Sequence, residues 1–317
     1  MLDVISTTSV VFLLIAAGFV AVKRSVFSSA ELATLGKYVI SFALPALIIQ
    51  SVSTREFGEI VDLAYLGAYG LGSVAAFAAG YLVSRRVLGL DPLACTFQGM
   101  GTSCANSGFI GYPILLIAMP SIAATAFALN VVVENVLMIP LVLALAEKTA
   151  NGVEEGRSLG LTIAGRVLRN PMVLALIVAL AIALSGVELP EVVMRPFSLV
   201  AASSVAVSLI VIGGTLAGLS LNGLDGRVFV VVLGKLALHP LAVWLAFVGL
   251  GILGLRVADA TLSHAAVLLA ASPSMTIYPI LAQRYGQQNS AALAMLLMTG
   301  ASFFTISAVL WLVTAGP

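Results

Sequence analysis

Ten apolar runs follow one another along the chain with only short polar gaps, near residues 4–22, 32–51, 61–83, 92–118, 121–146, 171–189, 192–218, 227–252, 260–284 and 289–314. Each is close to the ~20 residues a helix needs to cross a bilayer. Runs of this length spell helices, because a lone strand in hydrocarbon would leave its N–H and C=O groups unsatisfied. The short alternating segments of a β-barrel are absent. The expected fold is therefore an all-α membrane protein of ten transmembrane helices. Only 9% of the 317 residues are charged and 61% are hydrophobic, against roughly 25% charged for a soluble domain. The 15 basic and 14 acidic side chains lie mostly between the runs, which leaves no basic face for nucleic acid. Lys23 and Arg24 follow the first run and no basic residue precedes it. That polarity is opposite to a cleaved signal peptide and marks a retained first span.

Basic residues also set an orientation. Lys23, Arg24, Arg85, Arg86, Lys148, Arg157, Arg166, Arg169, Arg227 and Arg284 follow the odd-numbered spans, whereas only Arg55, Arg195 and Arg256 follow the even-numbered ones. The positive-inside rule then puts the odd loops in the cytoplasm and both termini outside. The longest polar segment divides the chain into a first unit of five spans (1–146), a cytoplasmic linker (147–170) and a second unit of five (171–317). With an odd number of spans in each, two homologous units must insert with opposite orientation, as an inverted repeat. Tyr112-Pro113-Ile114 returns as Tyr278-Pro279-Ile280 after 166 residues. In the linker, Leu159, Ile163 and Val167 with Arg157, Arg166 and Arg169 fit either a short amphipathic surface helix or a solvated connection.

Both copies of Tyr-Pro-Ile end stretches too rich in Gly, Ser, Asn and Pro for an unbroken helix. Span 4 carries Asn106-Ser107-Gly108-Phe109-Ile110-Gly111-Tyr112-Pro113, and span 9 carries Ser272-Pro273-Ser274-Met275-Thr276-Ile277-Tyr278-Pro279. Pro113 has no N–H and disfavours a helical carbonyl at position 109, while the glycines weaken the flanking turns. Matched helix breakers in two halves of a membrane chain point to a transporter's substrate site. Small residues for close helix packing are the plainer alternative. If both helices open at mid-depth, the inverted repeat brings the breaks into a crossing with Asn106 and Ser272 side by side. The exposed N–H groups that start each second half-helix would then face an anion. Asn106 offers donor and acceptor groups, for a carboxylate or a cation.

Three further residues stand out in the apolar runs. Glu134 lies mid-span with Asn130 one turn earlier and Asn135 beside it. A carboxylate there costs at least about 2.5 kcal/mol, so it is expected to face the interior as a coupling group for H+ or Na+; the alternative is a structural hydrogen bond to a neighbouring helix. Lys235 either snorkels to the cytoplasmic interface or points inward, where it would balance an anionic substrate or pair with Glu134. His239, one turn on, reads as a packing residue more than a proton relay. Asp62 reads as solvated at the outer edge of span 3, and Gly213-Gly214 as a close packing contact. Cys95 and Cys104 have neither metal-site nor disulfide spacing, no cofactor is expected, and Gly234-Lys235 lacks the Ser or Thr a phosphate loop requires.

With the Asn106 to Pro113 stretch, its Pro279 counterpart, Leu44-Pro45-Ala46 and Arg169-Asn170-Pro171 in view, the whole chain resembles the auxin efflux carrier family, especially its bacterial malonate-type members. The resemblance implies two inverted five-helix repeats whose helices 4 and 9 cross at prolines, and a crossover bundle that moves against a scaffold. It further implies that Asn106 contacts a substrate carboxylate. Ser272 departs from the pattern, and the long regulatory loop of plant carriers is missing. The expected function is secondary transport of a small mono- or dicarboxylate across a bacterial inner membrane. Substrate contacts would come from Asn106, Ser107, Gly108, Tyr112, Pro113, Ser272, Pro273, Ser274, Thr276 and Pro279, and coupling or charge balance from Glu134, Asn130, Asn135, Lys235 and His239. A channel or ligand sensor on the same fold is the rival, an intramembrane enzyme has no supporting motif, and a homodimer stays open.

Overall fold

A computed structural model describes residues 2–53, 62–151, 164–165, 167–187, 189–219 and 225–315. These residues form twelve helices and no β-sheet. They are α1 Leu2–Lys23, α2 Ser29–Val52, α3 Leu63–Arg86, α4 Pro92–Ser103, α5 Ser107–Ala118, α6 Pro120–Ala150, α7 Pro171–Ser185, α8 Glu191–Ala217, α9 Gly226–Ile252, α10 Ala260–Ala270, α11 Ile277–Gln283 and α12 Gln288–Ala315. Seven of them, α1, α2, α3, α6, α8, α9 and α12, are long and apolar enough to cross a membrane. α7 has 15 residues. The other four form two interrupted pairs, α4 with α5 and α10 with α11, at the stretches rich in helix breakers. Most of the linker, with Arg157, Leu159, Ile163 and Arg166, lies outside the described residues.

Helix starts follow from side chains that accept the otherwise unpaired first N–H groups. Asp91 before Pro92, Asn170 before Pro171, Asp225 and Asp259 each take N–H groups of the next turn at 2.8–3.3 Å. Asp62 does the same for α3 through the Tyr65 N–H at 2.8 Å. Its second oxygen accepts the Ala258 N–H, also at 2.8 Å, from the connection before α10. It is 8% exposed, so the sequence reading of a solvated Asp62 is corrected: the cap and the tertiary bond draw it inside.

Four short π-helical stretches interrupt the regular helices: Val39–Ala43, Ser107–Gly111, Val133–Met138 and Gly234–Leu238. Each ends two residues before a proline, at Pro45, Pro113, Pro140 and Pro240. A proline cannot donate to the carbonyl four residues back and its ring crowds that oxygen. Widening the preceding turn to i→i+5 pairing accommodates both defects, and such bulges re-aim the side chains they carry. Those side chains include Ser107, Glu134, Asn135 and Lys235, all but Ser107 within otherwise long spans.

The helices sort into two packed groups. α1, α2, α7 and α8 lie against one another, and the remaining helices form a second bundle in which α3 packs on α4 and α9, and α12 packs on α9 and α11. In the first group α1 and α8 meet backbone to backbone: a Cβ on Gly18 would strike the Ile210 backbone, and one on Gly213 the Ile15 carbonyl. A Cβ on Gly214 would strike the Leu32 side chain. The Gly213-Gly214 pair thus serves close approach, the role small residues take between membrane helices.

Candidate functional site

The first break opens after Ser103. Cys104 is extended (φ −92°, ψ 128°), and Asn106 at φ −84°, ψ 61° turns the chain into α5. Asn106 holds this turn in four ways. Its side-chain oxygen accepts the Phe109 N–H at 3.2 Å and its carbonyl accepts those of Ile110 and Gly111. Its own N–H donates to the Pro273 carbonyl at 2.8 Å, and its side-chain amide to Thr276 Oγ1 at 3.2 Å. Ala105 and Ser274 form an isolated antiparallel bridge. The two interrupted stretches therefore meet backbone to backbone, each supplying partners that the missing helical turns would have supplied.

The prolines of the two Tyr-Pro pairs are not at the gaps. Pro113 and Pro279 sit inside α5 and α11, within the first turns after each break or bulge, where a missing N–H is tolerated. Pro113 frees the Phe109 carbonyl as expected, and the Ser208 hydroxyl of α8 donates to that oxygen at 3.2 Å. This bond joins the two bundles at the crossing.

Glu134 faces the first break. Its Oε1 accepts the Ala105 N–H at 3.2 Å and the Ser107 hydroxyl at 2.7 Å. The Ser107 oxygen accepts from the Asn130 amide at 2.8 Å, and Asn130 Oδ1 accepts from the Tyr65 hydroxyl at 3.0 Å. The series Tyr65, Asn130, Ser107, Glu134 thus runs from α3 through α6 to the start of α5, with every donor pointing towards the carboxylate. Asn135 turns away from it: its amide donates to Val131 in its own helix, and its oxygen accepts from the Asn170 amide at 2.6 Å, tying α6 to the start of α7.

Lys235 faces the second break. Fully buried, it donates from Nζ to the Ala270 carbonyl at 2.5 Å, at the last turn of α10, and to His239 Nδ1 at 2.9 Å. That bond leaves the proton of His239 on Nε2, which lies 3.0 Å from Ser73 Oγ on α3. A cation at a helix C-terminus meets the negative end of the helix dipole. Of the two open positions for Lys235 the inward one holds. Its partners are a backbone carbonyl and a histidine, and the one ion pair among the described residues is Arg227 with Asp225.

A cavity of roughly 420 Å³ opens beside the first break. Among the residues singled out from sequence, Asn106, Ser107, Gly108, Thr276, Glu134 and Asn135 line it. Asn130 reaches it only through Ser107, while Tyr112, Pro113, Pro273, Ser274 and Pro279 support the two stretches from behind. Ser272 is buried just past the end of α10, with its hydroxyl bonded to the Leu269 carbonyl of that helix at 2.7 Å, so the expected pairing with Asn106 is corrected: the side chain that meets Asn106 is Thr276. Lys235 and His239 stand behind the second break, outside the cavity wall. Ser274 Oγ is buried at the bridge with no protein partner.

Sequence reasoning missed three participants. Tyr65 of span 3 was passed over, because its bond to Asn130 at the head of the series that ends at Glu134 is a purely tertiary fact. Asn170 was noted only as a helix opening. Arg284, counted as a loop charge, is exposed on the cavity wall beside the second half-helix of the broken pair.

Comparison with known proteins points to a transport family. The profile of the family described as Membrane transport protein matches residues 3–312. A protein of Rhizobium meliloti (strain 1021) named "Putative malonate transporter" is 27% identical over 287 residues, covering 89% of this chain and 87% of the relative. The match accounts for the apolar helices and for the absence of an enzymatic motif: this is a multi-pass membrane transporter, not an enzyme. The chain belongs to the Membrane transport protein family, which is the auxin efflux carrier family that its sequence resembles.

Proposed function

We propose that this chain is a secondary transporter that moves a small mono- or dicarboxylate, of malonate's kind, across a bacterial inner membrane by alternating access. The observation that carries the proposal is the cavity at the crossing, where the Asn106 amide, the Ser107 and Thr276 hydroxyls and the opening turn of α5 converge. A helix N-terminus with polar donors favours an anion. Arg284 at the wall adds a cation that raises the local concentration of anionic substrate, and the relative named for malonate supports a carboxylate.

Ten spans in two inverted five-helix units make the frame of this reading. In two-fold related units, residues near the axis touch their own counterparts, so contacts there share one separation in sequence. Tyr38 bonds Ser203 across 165 residues, Ser73 bonds His239 across 166, and Asn106 bonds Thr276 across 170. These come from three different pairs of spans, and all fall at or near the 166-residue offset of Tyr-Pro-Ile. Packing repeats the pattern, with α1 on α8 and α7 on α2. The bundle that holds the crossing would move against α1, α2, α7 and α8, with H+ or Na+ coupled at Glu134 and both termini outside.

Proteoliposomes loaded with malonate test this. Saturable uptake with counterflow of labelled malonate is expected, and its loss in Asn106→Ala. Current without saturation would favour the rival channel reading, and unchanged flux in the variant would remove Asn106 from the site.

A further inference from the structure

The cradle that a substrate carboxylate would enter already holds a carboxylate. Glu134 Oε1 takes the Ala105 N–H at the break and the Ser107 hydroxyl, and both residues line the cavity with Glu134 itself. We infer that Glu134 is a tethered stand-in for the substrate anion: a free carboxylate enters as Glu134 takes up a proton and withdraws, so the coupling ion is H+, one per substrate, and Na+ takes no part. This rests on the anion-site reading above and deepens it.

Two features support the assignment. First, the groups aimed at Glu134 are donors. A hard cation needs several oxygen lone pairs around it, yet the Ala105 N–H offers none, and the Ser107 oxygen already spends one of its two on the Asn130 amide. Second, the series of hydrogen bonds can run in either direction. With Glu134 ionised, Tyr65 donates to Asn130, Asn130 to Ser107 and Ser107 to Glu134. With Glu134 protonated, its O–H donates to Ser107, the Ser107 hydroxyl to a flipped Asn130 amide, and that amide's NH2 to the Tyr65 oxygen. Tyr65 then turns its proton to the Ala126 carbonyl, which lies 3.4 Å away. An amide flip and hydroxyl rotations suffice. Both charge states of Glu134 are satisfied in place without moving a helix, so the proton loads first, and the incoming carboxylate then displaces the neutral side chain and turns the Ser107 hydroxyl towards itself.

The other titratable groups near Glu134 do not compete for the role. Tyr65 and Tyr69 on α3 and Cys104 at the end of α4 stand near it, and Lys235 on α9 is held by His239 and Ala270 outside the cavity. Arg284 is exposed on the wall.

The test uses purified full-length protein with malonate as the probe. Calorimetry in two buffers of different ionisation heat reads proton uptake on binding. Wild type is expected to take up about one proton per malonate and to lose affinity about tenfold per pH unit at alkaline pH, the slope that linkage of one proton to one ligand demands. Replacing Na+ by choline should change nothing. Glu134→Gln should bind malonate without proton uptake and with a flat pH profile. Ser107→Ala, which keeps the carboxylate, should stay pH-dependent and serves if Glu134→Gln does not fold. Binding that requires Na+, proton uptake that persists in Glu134→Gln, or a flat profile in Ser107→Ala would each overturn the inference while leaving the anion site standing. No malonate binding by wild type would overturn the site itself, and the inference with it.

Discussion

The two helix breaks carry the same Tyr-Pro-Ile signature but meet their loose backbone ends with opposite charges. At the first break an acid, Glu134, accepts an N–H just ahead of α5. At the second a base, Lys235, donates to a carbonyl at the end of α10. Each choice matches the dipole of the half-helix concerned, positive where α5 begins and negative where α10 ends. The chemistry follows the same division. Both breaks reach the cavity, but the first keeps its acid on the wall, whereas the second buries its base completely behind it. An acid on the wall can give up its place to a solute, and a base sealed away works as a fixed electrostatic anchor.

Three substitutions sharpen or break this contrast. Lys235→Met should cost most, about 2–3 kcal/mol, because it removes a charged hydrogen bond and strands the Ala270 carbonyl in an apolar setting. Thermal unfolding in detergent would read it, and a change below about 0.5 kcal/mol would mean that the second break needs no cation. Asn106→Ala should cost about 1 kcal/mol as the loss of a helix cap, with the loss of malonate flux already given. Ser272→Ala should be smallest, about 0.5 kcal/mol or less, since its hydroxyl serves only the Leu269 carbonyl of the preceding helix, and flux should persist. If Ser272→Ala stopped transport, the two breaks would contribute side chains alike and the asymmetry would fall.

Much of this was legible in order along the chain. The apolar runs gave the helices, and clustered Gly, Ser, Asn and Pro located both interruptions. The gaps nevertheless fall at 104–106 and 271–276 rather than at the Tyr-Pro pairs, because Pro113 and Pro279 are housed in first helical turns, where a missing N–H is tolerated, while Pro273 takes its place in the second gap. Glu134 announced itself by depth alone, since an acid in an apolar run must have partners. Asp62, Tyr65 and Ser272 were misread or passed over for a common reason. A solvated acid, an aromatic of the core and a serine facing a site look the same in sequence as a tertiary cap, a hydrogen-bond donor and a self-satisfied hydroxyl.

By itself the sequence determined what must leave water and where regular pairing must fail, because hydrophobicity and the missing proline N–H act within a few residues of their own position. Tertiary structure decided which end of each broken helix receives which charge. Partners such as Glu134 with Ala105, Lys235 with Ala270 and Asn106 with Thr276 are tens to hundreds of residues apart. Only the packing of one bundle brings donor and acceptor within the 3 Å or so over which a hydrogen bond acts.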